Sequence, residues 1–395
     1  MLFTLILTFF LDNVGLFMVV PIYAPLLLDP QSAMIAATTP YFFRTVIIGS
    51  LVASYGIGQL FGGPILGELS DQFGRKKILI LGLICLVLGN ALGAYSLGFS
   101  QLWLLFAARL LTGFASGNWS VIFAAITDAA PEETKRTIYL GYLTGAAALG
   151  AVLGPLVGAH VPDVFAVMAV VIVVNLALVI FYFRDAGVYH RRKLQLLSGI
   201  YNIFDCFKLP VINILLLAFF FFSVSSESIF AGLPIFVVEK FKENSGFIGN
   251  LIAVGSCISA FTSFYLNKKL SLRFSTEKIL LMSLVVLCLA YVSFFIPAHA
   301  NGLFICYGLF GLSVILVWTH ANAVLTKRVA EDSRGKVLGV NQSLCSLAII
   351  IGPFLIGLGA AAHYNLVIFL ALGSSVVAVC LYGYVLGVKK DKPLG

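Results

Sequence analysis

Three ionisable side chains stand inside long apolar runs: Asp12, Arg109 and Glu227. Where water does not reach, a carboxylate either pairs with a cation or takes up a proton, and an unpaired guanidinium at the centre of a membrane helix costs at least ~3 kcal/mol. These are therefore the residues able to carry or steer a proton. Asp12 falls about 15 Å into its run at ~1.5 Å per residue, near the midplane. Arg109 comes in from the other side and reaches a similar or slightly more outward depth, so the two are expected to meet or to compete for a proton. A purely structural ion pair is the plainer alternative for Arg109. Glu227 stands among Ser223, Ser225, Ser226 and Ser228 as the only acid within a second-half run, more outward than Asp12. It could also be a structural acid, snorkelling or satisfied by those serines.

Other polar side chains in apolar runs are candidates for lining a substrate cavity: Asn13, Asn118, Trp119, Trp318, His320, Asn322, Asn341 and Gln342. Trp318 and Asn322 are four apart and share a helical face, while His320 is rotated away and serves equally well as an interhelical donor or as part of a proton relay. The chain holds no P-loop, no dinucleotide-type glycine fingerprint, no metal-ligand cluster and no serine in a nucleophile-elbow context. No enzymatic activity, ATP use, cofactor or bound metal is expected. The seven cysteines form no CxxC pair, and with Cys85, Cys257, Cys288, Cys306, Cys345 and Cys380 inside apolar runs and Cys206 in a polar loop, no disulfide is expected either.

The elements that must position these residues follow from composition. Of 395 residues 60% are hydrophobic and 11% charged, with a mean hydropathy of +1.04; a soluble domain carries about 25% charge. That excludes a water-soluble enzyme, a nucleic-acid-binding module and a disordered chain. About 20 apolar residues carry a helix across ~30 Å of hydrocarbon, and twelve runs of that kind are expected near 2–28, 43–66, 78–98, 102–125, 138–159, 164–183, 209–237, 246–266, 278–298, 302–325, 338–360 and 365–388. The first run begins straight after Met1 and is too long for a signal peptide, so it is read as a retained span. With the N-terminus inside, the inner segments hold 21 Lys and Arg against three outside (Arg44, Lys240 and Lys242). That bias places both termini in the cytoplasm.

The longest inner connection, 184–208, divides the spans six and six: a first bundle over 1–183 and a second over 209–395. A shift of 198 positions superposes Glu133 on Glu331, Arg136 on Arg334, Gly141 on Gly339 and Gly154-Pro155 on Gly352-Pro353. The shift is half the chain, as a duplicated six-span unit requires.

Four stretches carry a resemblance. Gly67-Glu-Leu-Ser-Asp71-Gln-Phe-Gly74-Arg75-Lys76-Lys77 resembles motif A of the major facilitator superfamily. Gly67 and Gly74 permit a tight turn, and Asp71 can pair with Arg75 or accept from a helix N-terminus. The second-half counterpart, Asn267-Lys-Lys-Leu-Ser-Leu-Arg273, is degenerate. Leu105-x-x-x-Arg109-x-x-Thr112-Gly113-x-Ala115-Ser116-Gly117 resembles the family's motif B, with Thr112 where Gln is usual. Gly113, Ser116, Gly117 and Ser120 give that span one small, polar face, which can border a wet cavity or pack closely on another helix. Gly150-x-x-x-Gly154-Pro155-x-x-Gly158-Ala159 resembles motif C of the drug–proton antiporters, though glycine-rich spans also pack this way for structural reasons alone. Leu11-Asp12-Asn13-Val14-Gly15, with Pro21 nine residues after Asp12 and Pro25 beyond, is similar to the first span of tetracycline- and multidrug-type efflux members.

The resemblance implies an all-α membrane protein with the major facilitator fold: twelve transmembrane helices in two pseudo-symmetric bundles around a central cavity. It implies a motif A gate of Gly67, Asp71, Gly74 and Arg75 at the cytoplasmic face, with Asp128 as the third charge, and proton coupling through Asp12, Glu227 and Arg109. The function implied is proton-coupled export of small amphipathic compounds by alternating access. A proton-coupled importer of an amino acid, nucleoside or siderophore shares the fold and the acids, and a non-transporting membrane receptor is the alternative from another class. The expected partners are a small-molecule substrate, protons and membrane lipid, with no nucleic acid; the expected state is a monomer in a bacterial plasma (inner) membrane.

Overall fold

The computed structural model describes residues 2–130, 132–185, 211–329 and 331–387. Every regular element among them is a helix, as expected where the backbone has no water to bond and must satisfy itself. Twelve are long and apolar enough to cross a membrane: Leu2–Leu28, Tyr41–Phe73, Arg75–Gly98, Leu102–Ala129, Glu133–His160, Val164–Tyr182, Ile212–Phe241, Ser245–Ser271, Thr276–Ser293, Ala300–Lys327, Val337–Ala362 and Leu366–Val385. They are called spans one to twelve below. The chain is a multi-pass membrane protein.

Two compact units divide it, Met1–Leu196 and Leu197–Gly395. In the first, span one packs on span five, span four on spans two and three, and span three on span six. In the second, span seven packs on spans eleven and twelve, span ten on spans eight and nine, and span nine on span twelve. The pairings repeat with an offset of six spans, as the sequence shift of 198 requires. Most of the expected connection 184–208 lies outside the described residues, as does Cys206; Arg184 and Asp185 are its described start.

Local sequence sets the irregularities. Span one is helical over Leu2–Phe17 and again over Val20–Leu28. Pro21 has no N–H to continue the ladder, and the chain turns at Met18–Val19, where Ile22 N–H donates to the Val19 carbonyl at 3.1 Å. Span four breaks likewise between Ala115 and Asn118. There the Ser116 hydroxyl bonds back to the Gly113 carbonyl at 2.6 Å, a local competitor of the helix ladder. Span eight carries a π-turn over Thr262–Leu266. Side-chain caps start two spans: Asn244 accepts from Phe247 N–H and Ser275 from Lys278 N–H. Span two continues to Phe73, beyond the expected end at 66. Gly67 therefore lies inside a helix rather than in a turn, a correction to its expected role.

Candidate functional site

Asp12 lies in the long helical half of span one and is 5% exposed. Neither carboxyl oxygen has a hydrogen-bond partner. It borders a small cavity inside the first unit, shared with Gly15 of the same span, Tyr55 of span two, Asn90 of span three, and Thr112 and Ser116 of span four. Leu11, Leu16, Leu86 and Ile172 complete the wall, so Asp12 is the one charged residue on it. The cavity measures about 10 Å³, close to the least that one water needs.

Arg109 is 2% exposed, yet no ion pair joins it to Asp12 among the described residues. The expected meeting of the two is corrected. The guanidinium carbon lies 4.5 Å from the centre of the Tyr55 ring, and Nε has no partner. Tyr55 thus has Arg109 over its ring and is itself part of the Asp12 cavity wall.

The small face of span four resolves into close packing. Cβ atoms at Gly113 and Gly117 would run into the backbone of Tyr55 and of Gly62 and Gly63, and ones at Gly58 and Gly62 into that of Leu110, Gly113 and Phe114. The Ser120 hydroxyl reaches the Gly63 carbonyl at 3.0 Å. Only hydrogen at these positions lets spans two and four approach so closely.

The motif A charges come together. Arg75 pairs with Asp71, and its Nε donates to Asp128 at 3.0 Å. A further N–H of Arg75 donates to the Ser70 hydroxyl at 2.6 Å. Gly74 supplies the turn before it with φ 101°, a backbone conformation that L side chains rarely adopt. Gly67 instead faces Ser120 of span four, where a Cβ would stand 3.1 Å from the hydroxyl oxygen. Next to the cluster, Lys76 N–H donates to Asp185 at 2.9 Å and Lys76 Nζ to the Ile180 carbonyl at 2.7 Å. The start of span three and the end of span six thereby satisfy each other's terminal backbone groups.

The glycines of span five lie on span one. A Cβ at Gly150 would meet Asn13 and the Phe10 carbonyl, one at Gly154 would meet Phe17 and the Val14 carbonyl, and one at Gly158 would run into the Met18 carbonyl, where span one turns. Pro155 sits within this helix. In the second unit Gly352 faces span seven, with a Cβ there 3.2 Å from Glu227 Cβ and from the Val224 carbonyl. Gly154 faces Val14 and Phe17 as Gly352 faces Val224 and Glu227, which equates Phe17 with Glu227 and Asp12 with Phe222. Glu227 thus stands five residues, about 7.5 Å of helix, further along its span than the counterpart of Asp12. It is half-buried, without an ion pair or hydrogen bond among the described residues.

The remaining candidates separate by burial. Asn13 donates to the Phe9 carbonyl, His320 Nδ1 lies 3.0 Å from the Leu316 carbonyl, and Asn118 is sealed against Gly82. All three are buried. Asn322 and the buried Asn341 bond to each other at 3.1 Å, Gln342 is exposed, and Trp318 is 37% exposed. Trp119 lies 5.1 Å from Phe9 with the rings at 52°, and Trp318 lies 5.2 Å from Phe219 at 59°. The offset between Phe9 and Phe219 equals that between Val14 and Val224, so the aromatic pair is duplicated with the fold. Sequence reasoning passed over Tyr55, Asn90 and these phenylalanines. Asn90 carried a signal, as a lone amide in the apolar run of span three; Phe9 and Phe219, two among 34 phenylalanines, carried none.

Comparison with known proteins points one way. The family profile described as Major Facilitator Superfamily matches residues 2–353. The tetracycline resistance protein, class H, of Pasteurella multocida is 28% identical over 364 residues, covering 87% of this chain and 85% of that one. Multidrug resistance protein 2 of Bacillus subtilis (strain 168) is 25% identical over 325 residues, covering 79% of each. The crystal structure of the nucleoside transporter NupG superposes with a TM-score of 0.76 over 98% of both chains at 14% identity, a likeness of fold.

Proposed function

The chain belongs to the major facilitator superfamily, and from that premise we propose that it exports small amphipathic drugs across a bacterial plasma membrane in exchange for protons. The observation that carries this reading is Asp12, a carboxyl group enclosed in the first unit with neither cation nor hydrogen-bond donor. Such a group is strongly disfavoured as a bare anion. A group that must hold a proton when sealed, and can release it when opened to water, is what proton exchange requires. Export is supported by relatives named for tetracycline and multidrug resistance, which match most of the chain. Glu227, half-buried in span seven, is the second proton carrier in this reading, and Arg109 acts through Tyr55. The half-exposed Trp318 with Asn322, and Trp119 in the first unit, are the side chains that would meet an apolar, planar substrate. Alternating access would expose the acids first to one side and then to the other. Each proton moving inward then contributes ~2.3 kcal/mol per 100 mV of membrane potential.

Addition of a substrate drug to detergent-solubilised protein is expected to release protons, and Asp12→Asn is expected to abolish the release. In everted vesicles the drug accumulates only under an imposed proton gradient. No release with any compound, together with unchanged transport by Asp12→Asn, sinks antiport through this residue.

A further inference from the structure

The polar groups on the Asp12 cavity leave a specific shortage. Asn90 is buried and its Nδ2 already donates to the Leu86 carbonyl at 2.9 Å, which leaves Oδ1 as a fixed acceptor without a donor. Both oxygens of Asp12 also lack a donor. Thr112 and Ser116 spend their hydroxyl hydrogens on span-four carbonyls at 2.9 Å and 2.6 Å. Tyr55 also lines the cavity, but its hydroxyl donates neither to Asp12 nor to Asn90 Oδ1, so these acceptors remain without a donor beside room for about one water. We propose that the cavity is the seat of one ordered water, bonded to Asp12 and to Asn90 Oδ1, and that Asn90 is the residue that positions it.

A water suits this place better than a side chain does, because the demand at Asp12 changes sign. Against the charged carboxylate the water donates one hydrogen to Asp12 and the other to Asn90. Against the neutral acid it accepts from Asp12 and still donates to Asn90. Asn90 cannot turn to compete, because its amide nitrogen is anchored to its own helix. The same arrangement leaves Asp12 hydrogen-bonded in both states without a permanent cation, so its proton remains exchangeable. Arg109 lies over the Tyr55 ring and is not among the residues on the cavity wall.

The proposal rests on the reading of Asp12 as a proton carrier, and one experiment separates the two. Infrared difference spectroscopy on the purified full chain reads the carboxylic C=O stretch of Asp12, identified by its loss in Asp12→Asn. In Asn90→Leu the band is expected to move to the higher frequency of an unbonded acid. Exchange of the solvent for water carrying the heavy oxygen isotope provides a second measurement that leaves every side chain in place: an O–H stretch that shifts with the isotope and is lost in Asp12→Asn and in Asn90→Leu is expected. A C=O band that stays put in Asn90→Leu, or the absence of any such isotope-sensitive stretch, overturns the water and leaves Asp12 as proton carrier intact. A wild-type spectrum with no band lost in Asp12→Asn overturns the proton reading itself, and the water with it. A band removed by exchanging potassium for sodium assigns this oxygen-lined cavity to a cation and likewise overturns the water.

Discussion

Arg109 would leave a charged group stranded in the first unit were it not for the face of Tyr55, 4.5 Å from the guanidinium carbon. A desolvated cation over an aromatic ring is worth about 2 kcal/mol. Tyr55→Phe keeps the ring and is expected to melt within a degree or two of the wild type, whereas Tyr55→Leu removes it and is expected to lose about 2 kcal/mol; thermal unfolding in one detergent measures both. Equal losses in the two variants would move the stabilisation from the ring to the hydroxyl. The charges at Asp12, Arg109 and Glu227 were legible in the sequence because an ionised group in an apolar run has so few explanations. Their neighbours were not, since Asp12 and Tyr55 lie 43 positions apart and only the packing of the first unit as a whole brings them to one cavity. For the same reason an ion pair between Asp12 and Arg109 looked natural from depth alone, whereas the guanidinium lies over the Tyr55 ring instead.

At the scale of elements, glycine decides how closely helices approach. Gly158 admits the Met18 carbonyl at the turn of span one, so Gly158→Ala is expected to cost ~1–3 kcal/mol through overpacking and to slow transport. Gly141, on the same helix with open space around it, is expected to accept Ala without loss. A matched fall in melting temperature for both would show that span five responds to helix composition rather than to contact. The connection between spans one and two offers a second case. Arg44 is buried and donates to the carbonyls of Leu27, Asp29, Ala36 and Thr39 at 2.8, 2.9, 3.1 and 3.2 Å. These bonds close the end of the first span and fix the 29–40 segment against it. Arg44→Met is expected to cost about 1.5–3 kcal/mol, the worth of a hydrogen bond to a charged group, and to make this segment the first site of cleavage in limited proteolysis. Protection equal to the wild type would refute that. A count of basic residues registers Arg44 merely as an exception to the inner bias; its carbonyl partners come from a loop fold that local pattern does not encode.

Across the whole molecule the twelve spans, the all-helical class and the duplication were legible, because hydropathy over 20 residues and a shift of 198 positions survive large changes in sequence. Span ends were less so: span two outruns its apolar stretch to Phe73, carried by the polar last turns that hold Asp71. The charge bias predicts that a reporter fused after residue 395 stays in the cytoplasm, so an alkaline phosphatase fusion there is expected to be inactive and a green fluorescent one bright. An active phosphatase would reverse the topology. The repeated aromatic pair has a practical consequence. The chain has three tryptophans. Trp103 is 81% exposed, and the other two sit one in each unit, each tilted against its own phenylalanine. Replacing Trp103 by Phe leaves one native emitter per half, so changes of colour and lifetime in either half can be followed in turn, without attaching a dye.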